Sequence, residues 1–140
     1  MELETVLYQK DGNVGIVTLN RTKAMNSMNK QLFADLTVAF EAARDDDEVR
    51  CVVMRGEGRA FCAGGDIAEM KGITTESAFF DFMSVAGGFT TLLNTFPKPV
   101  VASPRCHCRS RCFPVDGSRH CFGSRRCGVY RGLWTGGLDS

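Results

Sequence analysis

No apolar run in this chain approaches the roughly 20 residues that a membrane-spanning helix needs, so none is expected. The N-terminus carries Glu2 and Glu4 where a secretory leader would be basic and then apolar. No signal peptide is therefore expected, and the cytoplasm is the expected compartment. Histidine is missing before residue 107, which leaves Cys62 without an obvious base to activate it. Cys62 is thus expected as a small apolar filler and Cys51 as core. Lysine is missing after residue 103. What remains is ordinary: 140 residues, 44% apolar, 24% charged, 9% aromatic and a net charge of +1. That supports one modest core, is short for two full domains, and excludes a disordered, collagen-like or coiled-coil chain.

The averages conceal a division. Residues 104–140 hold seven Arg, no Lys and two acids (Asp116 and Asp139), a net of +5. The other 103 residues hold ten Lys or Arg and fourteen acids, a net of −4. Five of the seven cysteines (106, 108, 112, 121 and 127) and both histidines (107 and 120) lie in the basic part. We therefore expect two segments, 4–102 and 103–140.

In the first segment, β-rich runs at Glu4–Lys10 and Val14–Leu19 flank the turn-forming Asp11-Gly12-Asn13, which predicts a hairpin. Leu32, Phe33, Leu36, Phe40 and Ala43 recur at helical spacing, predicting a helix from about Asn29 to Arg44. Asp45-Asp46-Asp47 should end it as a solvated loop, since acids oppose the dipole at a helix C-terminus. Val49–Arg55 predicts a buried strand. A second helix is expected from about Thr75 to Asn94, with Phe79, Phe82, Met83, Ala86, Phe89 and Leu93 on one side. Pro97 and Pro99 stop it, and a strand begins at Val100-Val101. This order is α/β with crossover connections. Met25, Met28, Met70 and Met83 are expected as core and loop fillers.

The loop Gly58–Met70, GRAFCAGGDIAEM, carries the chemistry. Adjacent glycines let the backbone approach a ligand closely. Asp66 with Glu69 three residues on predicts a capping box that starts a short helix. A free Gly65 N–H there could stabilise a developing oxyanion. The same pattern is also what a tight turn followed by a helix cap looks like.

Four motifs in order carry a resemblance: GNVGIVTLNR (Gly12–Arg21), KAMNSM (Lys23–Met28), GRAFCAGGDIAEM (Gly58–Met70) and FPKPVVA (Phe96–Ala102). From about residue 4 to residue 102 the chain resembles the enoyl-CoA hydratase/isomerase (crotonase) family. The resemblance implies an incomplete ββα spiral and an acyl-CoA thioester substrate, with hydration or isomerisation proceeding through an enolate. It assigns Gly65 N–H as one oxyanion donor. It implies that Ala63, Gly64, Asp66 and Ile67 line the acyl and pantetheine channel, and that Lys23, Ala24 and Met25 meet the nucleotide end. Thr22 stands where the family usually has proline. No cofactor is implied beyond the coenzyme A carried by the substrate. Neither a metal, a nucleic acid nor a membrane is expected as a partner, and trimers or hexamers are common in the family.

After FPKPVVA the family continues A-V-H-G-x-x-x-G-x-G-x-S-L, which supplies the second donor and leads to the catalytic carboxylates. This chain reads Ser103-Pro104-Arg105-Cys106-His107-Cys108-Arg109-Ser110-Arg111-Cys112-Phe113-Pro114-Val115 instead. The codons for that run, read one base later, can encode Val-His-Gly-Ala-Thr-Ala-Gly-Ala-Gly-Val-Ser-Leu. We therefore expect residues 103–140 to be an out-of-frame tail that packs poorly, with no catalytic role for Asp116 or Asp139. The rival is a zinc or nucleic-acid module built on the tail's Cys, His and Arg. Against it stand the lack of any C-x₂-C pair and of interleaved aromatics. A disulfide framework is not expected in a cytoplasmic chain.

Overall fold

The computed structural model describes residues 1–103. Of the expected tail only Ser103 is described, as the end of a strand; its poor packing and the zinc alternative otherwise lie outside the described residues.

The hairpin forms as expected. Strands β1 (Val6–Asp11) and β2 (Val14–Leu19) pair antiparallel, with Asp11 opposite Val14. Helix α1 (Lys30–Asp45) then crosses over to strand β3 (Cys51–Gly56), parallel to β2. Helices α2 (Ile67–Gly72) and α3 (Glu76–Asn94) lead to β4 (Val100–Ser103), parallel to β3. The sheet order is β1-β2-β3-β4. Strand β3 starts later than the apolar run suggests. Val49 N–H closes a turn onto Asp46 O and Arg50 N–H reaches Asn13 O, so ladder pairing begins at Cys51.

Alternation along the strands separates the two faces of the sheet. Val6, Tyr8, Val17, Leu19, Val52 and Met54 are buried with Leu32, Leu36, Ala39, Phe40 and Ala43 of α1. Cys51, Val53 and Arg55 alternate out of phase and are only half-buried. Cys51 is therefore not core, contrary to expectation, because its place in the pleat puts it on the opposite face from α1. Cys62 does pack against the core edge, as a filler should.

Helix α3 lies against α1. Phe82 and Phe89 are buried, and their rings lie 6.1 Å from that of Phe33. Phe40 takes Phe89 and Phe96 edge-on at 5.5 and 5.1 Å. The expected stripe on α3 is only partly used: Phe79 and Met83 are about half exposed, because α1 covers only one side of the helix. The methionines are corrected as well. Met28 packs on the core, whereas Met25, Met70 and Met83 stand at the surface.

Polar ties hold the layers in register. Buried Asp35 of α1 accepts Thr5 N–H and Thr5 Oγ1, each at 2.7 Å, and the Gln31 amide at 2.8 Å, so its charge is hydrogen-bonded. Lys98, between the two prolines that end α3, donates its ammonium to Ala43 O and Asp46 O at 2.8 and 2.7 Å. It thereby supplies the cation that the C-terminus of α1 favours. Asp45 is still the last residue of α1, so only Asp46 and Asp47 of the acidic run form the expected solvated turn, with Lys10 bridging Asp46 and Glu48 across its edge.

Phe40 is fully buried and links both aromatic contacts to the sheet. Phe40→Ala should cost about 3–5 kcal/mol of unfolding free energy. Urea denaturation checks this; a loss below about 1 kcal/mol would mean that α1 is not the centre of the core.

Candidate functional site

Two loops meet at the ends of β2 and β3. The first, residues 20–29, includes a single 3-10 turn at Thr22–Ala24. Met25 and Asn26 follow it with φ of +50° and +57°. The second runs from Gly56 to Asp66. At Gly56 a Cβ would lie 2.6 Å from the backbone of Phe61, so only glycine lets the chain fold back there.

Asn26 sews the loops together. It is fully buried and accepts Arg21 N–H on its side-chain oxygen at 2.9 Å. Its amide nitrogen donates to Glu57 O at 3.0 Å and to Ala60 O at 2.8 Å. Backbone bonds continue the seam. Ala63 N–H donates to Met25 O, Met28 N–H to Gly64 O at 2.7 Å, and Asp66 N–H to Met28 O at 2.9 Å. Met28 and Gly65 thus form an isolated parallel bridge. Because Met28 bonds to the residues either side of Gly65, the N–H of Gly65 itself faces away from the seam. It has no acceptor among the described residues. Gly64 reaches the bridge with φ +101°, a conformation that side chains disfavour.

Asp66 caps α2 as expected, its Oδ1 accepting Ala68 N–H and Glu69 N–H at 3.0 and 3.2 Å. The reciprocal half of the capping box does not form. Asp66 N–H is committed to Met28 O, and Glu69 Oε2 instead accepts Lys30 N–H, capping α1 at 2.9 Å. The other oxygen of Asp66, Oδ2, accepts Arg21 Nη1 at 2.9 Å and the Ser27 hydroxyl at 3.2 Å. The same Arg21 nitrogen donates to Ser27 O at 2.6 Å. This guanidinium holds the Asp66 carboxyl below the usual carboxylate range; Glu69 N–H and the Ser27 hydroxyl add to the effect, and desolvation opposes it.

The family model for enoyl-CoA hydratase/isomerase matches residues 14–104. The chain belongs to this family. It is 40% identical over 88 residues to a probable enoyl-CoA hydratase of Mycobacterium bovis, covering 62% of this chain and 34% of that protein. It is 35% identical over 105 residues to a short-chain-enoyl-CoA hydratase of Clostridium acetobutylicum, covering 74% of this chain and 40% of that one. A crystal structure of an enoyl-CoA hydratase/isomerase from Xanthobacter autotrophicus superposes with a TM-score of 0.69 at 27% identity, over 74% of this chain and 39% of the other. The chain thus spans between a third and two-fifths of the length of these relatives. The fold is the crotonase fold, in part.

Within this member of the enoyl-CoA hydratase/isomerase family, the two groups of expected site residues adjoin. Met25 meets Ala63 through its carbonyl, and the Arg59 guanidinium lies 3.6 Å from its sulfur. Ala63, Gly64, Gly65 and Ile67 are exposed, and Asp66 is half-buried behind them. Lys23 is exposed on the 3-10 turn, and among the described residues its side chain makes no hydrogen bond to residues 63–67. Arg21, Asn26 and Ser27 were not expected as part of the site. The signal for Asn26 was its residue type, since asparagine enters the left-handed region more readily than most. No helix among the described residues is long and apolar enough to cross a membrane, and none of their His, Cys, Asp or Glu gather in threes as a metal site would.

Asn26→Gly keeps the positive φ and removes only the amide, leaving three backbone groups without their partner. It should cost on the order of 2–4 kcal/mol, which thermal and urea unfolding would reveal; an unchanged midpoint would deny Asn26 its structural role. Asp66 provides a test by pH. Its folded carboxyl titrates below the unfolded value of about 3.9. The tie therefore stabilises fully above that value and is lost as pH falls through the folded one. Across an unfolding series from about pH 6 to pH 2, Asp66→Asn should flatten part of the acid limb, and identical limbs would refute the assignment.

Proposed function

We propose that this chain is the N-terminal part of an acyl-CoA enzyme that hydrates a 2-enoyl thioester or carries out a related double-bond isomerisation of an enoyl thioester. One observation carries the reading: an exposed Gly65 N–H with no acceptor among the described residues, held on a strapped turn in a chain of this family. Gly65 N–H donates to the thioester carbonyl oxygen. Charge accumulates on that oxygen as the enolate forms, so the bond strengthens toward the transition state, which is what lowers the barrier. Ala63, Gly64, Asp66 and Ile67 border the acyl and pantetheine path, while Lys23, Ala24 and Met25 meet the nucleotide end. Coenzyme A arrives with the substrate and no other cofactor takes part. In the cytoplasm the intact enzyme assembles as the trimers or hexamers common in the family.

The second donor and the proton-moving carboxylates have no counterpart at residues 103–140. We propose that the reading frame shifts by one base near the codons for Ala102 and Ser103. The family match ending at residue 104 and the compatibility of the shifted codons with the family's glycine-rich turn both support this. Losing one oxyanion donor typically costs about 10²–10³ in rate, and losing general acid–base groups a further 10²–10⁴ or so. The 140-residue chain should therefore show no measurable hydration of crotonyl-CoA, followed by loss of the enoyl thioester absorbance. The same gene with one base removed near codon 103 should hydrate it. Comparable turnover by the two forms would overturn the frame reading, and inactivity of both would overturn the assigned chemistry.

A further inference from the structure

Gly64 and Gly65 are the two most permissive residues the loop could have, and both are exposed. Left alone, this pair would let the Gly65 N–H sample many directions. What restrains it is one bond on either side: Gly64 O to Met28 N–H and Asp66 N–H to Met28 O. Both bonds depend on where Met28 lies relative to Asp66. A single nitrogen spans that gap, because Arg21 Nη1 binds the carbonyl of Ser27, the residue before Met28, and the carboxylate of Asp66, the residue after Gly65. The Ser27 hydroxyl closes the triangle by donating to the same carboxylate oxygen. The ion pair is sheltered, with the two side chains 21% and 12% exposed, so water competes weakly for it.

The two oxygens of Asp66 divide the work. Oδ1 caps α2, and Oδ2 takes Arg21 and Ser27. The cap and the clamp are therefore separable by substitution. We propose that Arg21 is a positioning residue: acting through Asp66 and Ser27, it sets the direction of the Gly65 N–H without touching the ligand. This rests on the acyl-thioester reading above for its purpose, though not for its geometry. Arginine suits the place because its guanidinium is permanently charged, planar and less strongly hydrated than a lysine ammonium, and the two hydrogens of one nitrogen point in fixed directions, one to the carbonyl and one to the carboxylate.

The test uses the 140-residue chain with Arg21→Gln, Arg21→Lys and Asp66→Asn. Asparagine is itself a good N-cap, so Asp66→Asn spares α2 while removing the charge that Arg21 holds. Amide hydrogen exchange reads the strap without any ligand. In Arg21→Gln and Asp66→Asn, the Met28 and Asp66 amides should exchange about tenfold faster or more, with the β1–β3 amides unchanged and Arg21→Lys in between. The ligand readout is made in the form with one base removed near codon 103, carrying the same substitutions, and uses acetyl-CoA labelled with carbon-13 at the thioester carbonyl, with coenzyme A as the comparison. The downfield carbonyl shift on binding should vanish in the same two variants and return in part with Arg21→Lys, while Arg21→Gln, which leaves every proposed ligand-lining residue in place, keeps coenzyme A affinity within about twofold. Unchanged exchange at Met28 and Asp66, or an undiminished carbonyl shift, overturns the positioning role. Absence of any carbonyl shift in the frame-corrected form without substitution overturns the thioester reading instead, and the clamp is then decided by the exchange data.

Discussion

The buried amide of Asn26 holds together two segments that sequence separates by more than thirty residues, and the candidate site exists only where they meet. An amide with three backbone partners in a water-free place is costly to disturb, since any slip leaves a buried donor or acceptor unpaired. That cost fixes the start of the second loop against the end of the first. The Met28–Gly65 bridge then forms as a consequence, because Ala63, Gly64 and Asp66 are already alongside residues 25–28. The positive φ of Met25 and Asn26 is the strain that accompanies this geometry, and the burial of Asn26 is what sustains it.

The scaffold beneath is stiff for a different reason. Helix α1 is packed on two sides, by the sheet and by α3, and its buried residues lie at the spacing that such a sandwich requires. Its two ends are tied to other elements. Glu69 of α2 reaches Lys30 N–H at one end, and Lys98 before β4 takes the last carbonyls at the other. One tie joins the short helix that follows the site loop, and the other the segment leading into β4, to the same helix. A displacement of α1 would therefore be felt at Gly65, through Glu69, α2 and the Asp66 cap. Precision in the loop is borrowed from the core.

Much of this was legible in the sequence, and the limits are physical. Periodicity exposed the hairpin, α1 and α3, because those patterns report which face meets a core. It misjudged Cys51 for the same reason: a short apolar run says that a strand is present but not which residues face the helix. It overestimated the packed stripe of α3, since spacing marks what can be buried and only the neighbours decide what is. The glycines and Asp66 of the site were visible because backbone geometry restricts which residues can stand there. The partnership of Glu69 was not. A capping box is a local pattern, and here a partner thirty-nine residues away won the side chain. Arg21, Asn26 and Ser27 are likewise long-range in effect, and composition carries no trace of who meets whom.

A correctly aimed donor is still only part of an oxyanion site. A backbone N–H in open water exchanges its hydrogen bond with solvent at little net gain; the same group in a dry, preorganised place stabilises developing charge strongly. Two apolar side chains close to Gly65 in the chain stand open to solvent. Ile67 is 68% exposed and Met70 52%, while the Met70 sulfur stands beside the glycine itself. Such side chains at the rim of a polar turn suit a wall that the acyl chain and further protein would cover. Geometry and dielectric are thus supplied by different parts of the fold. In the proposed reading, residues 1–103 set the direction of one N–H, and the strength of its bond to a thioester oxygen depends on what excludes water above it. The chemistry proposed above consequently depends on groups beyond residues 1–103, even though the aim of this donor is determined within them.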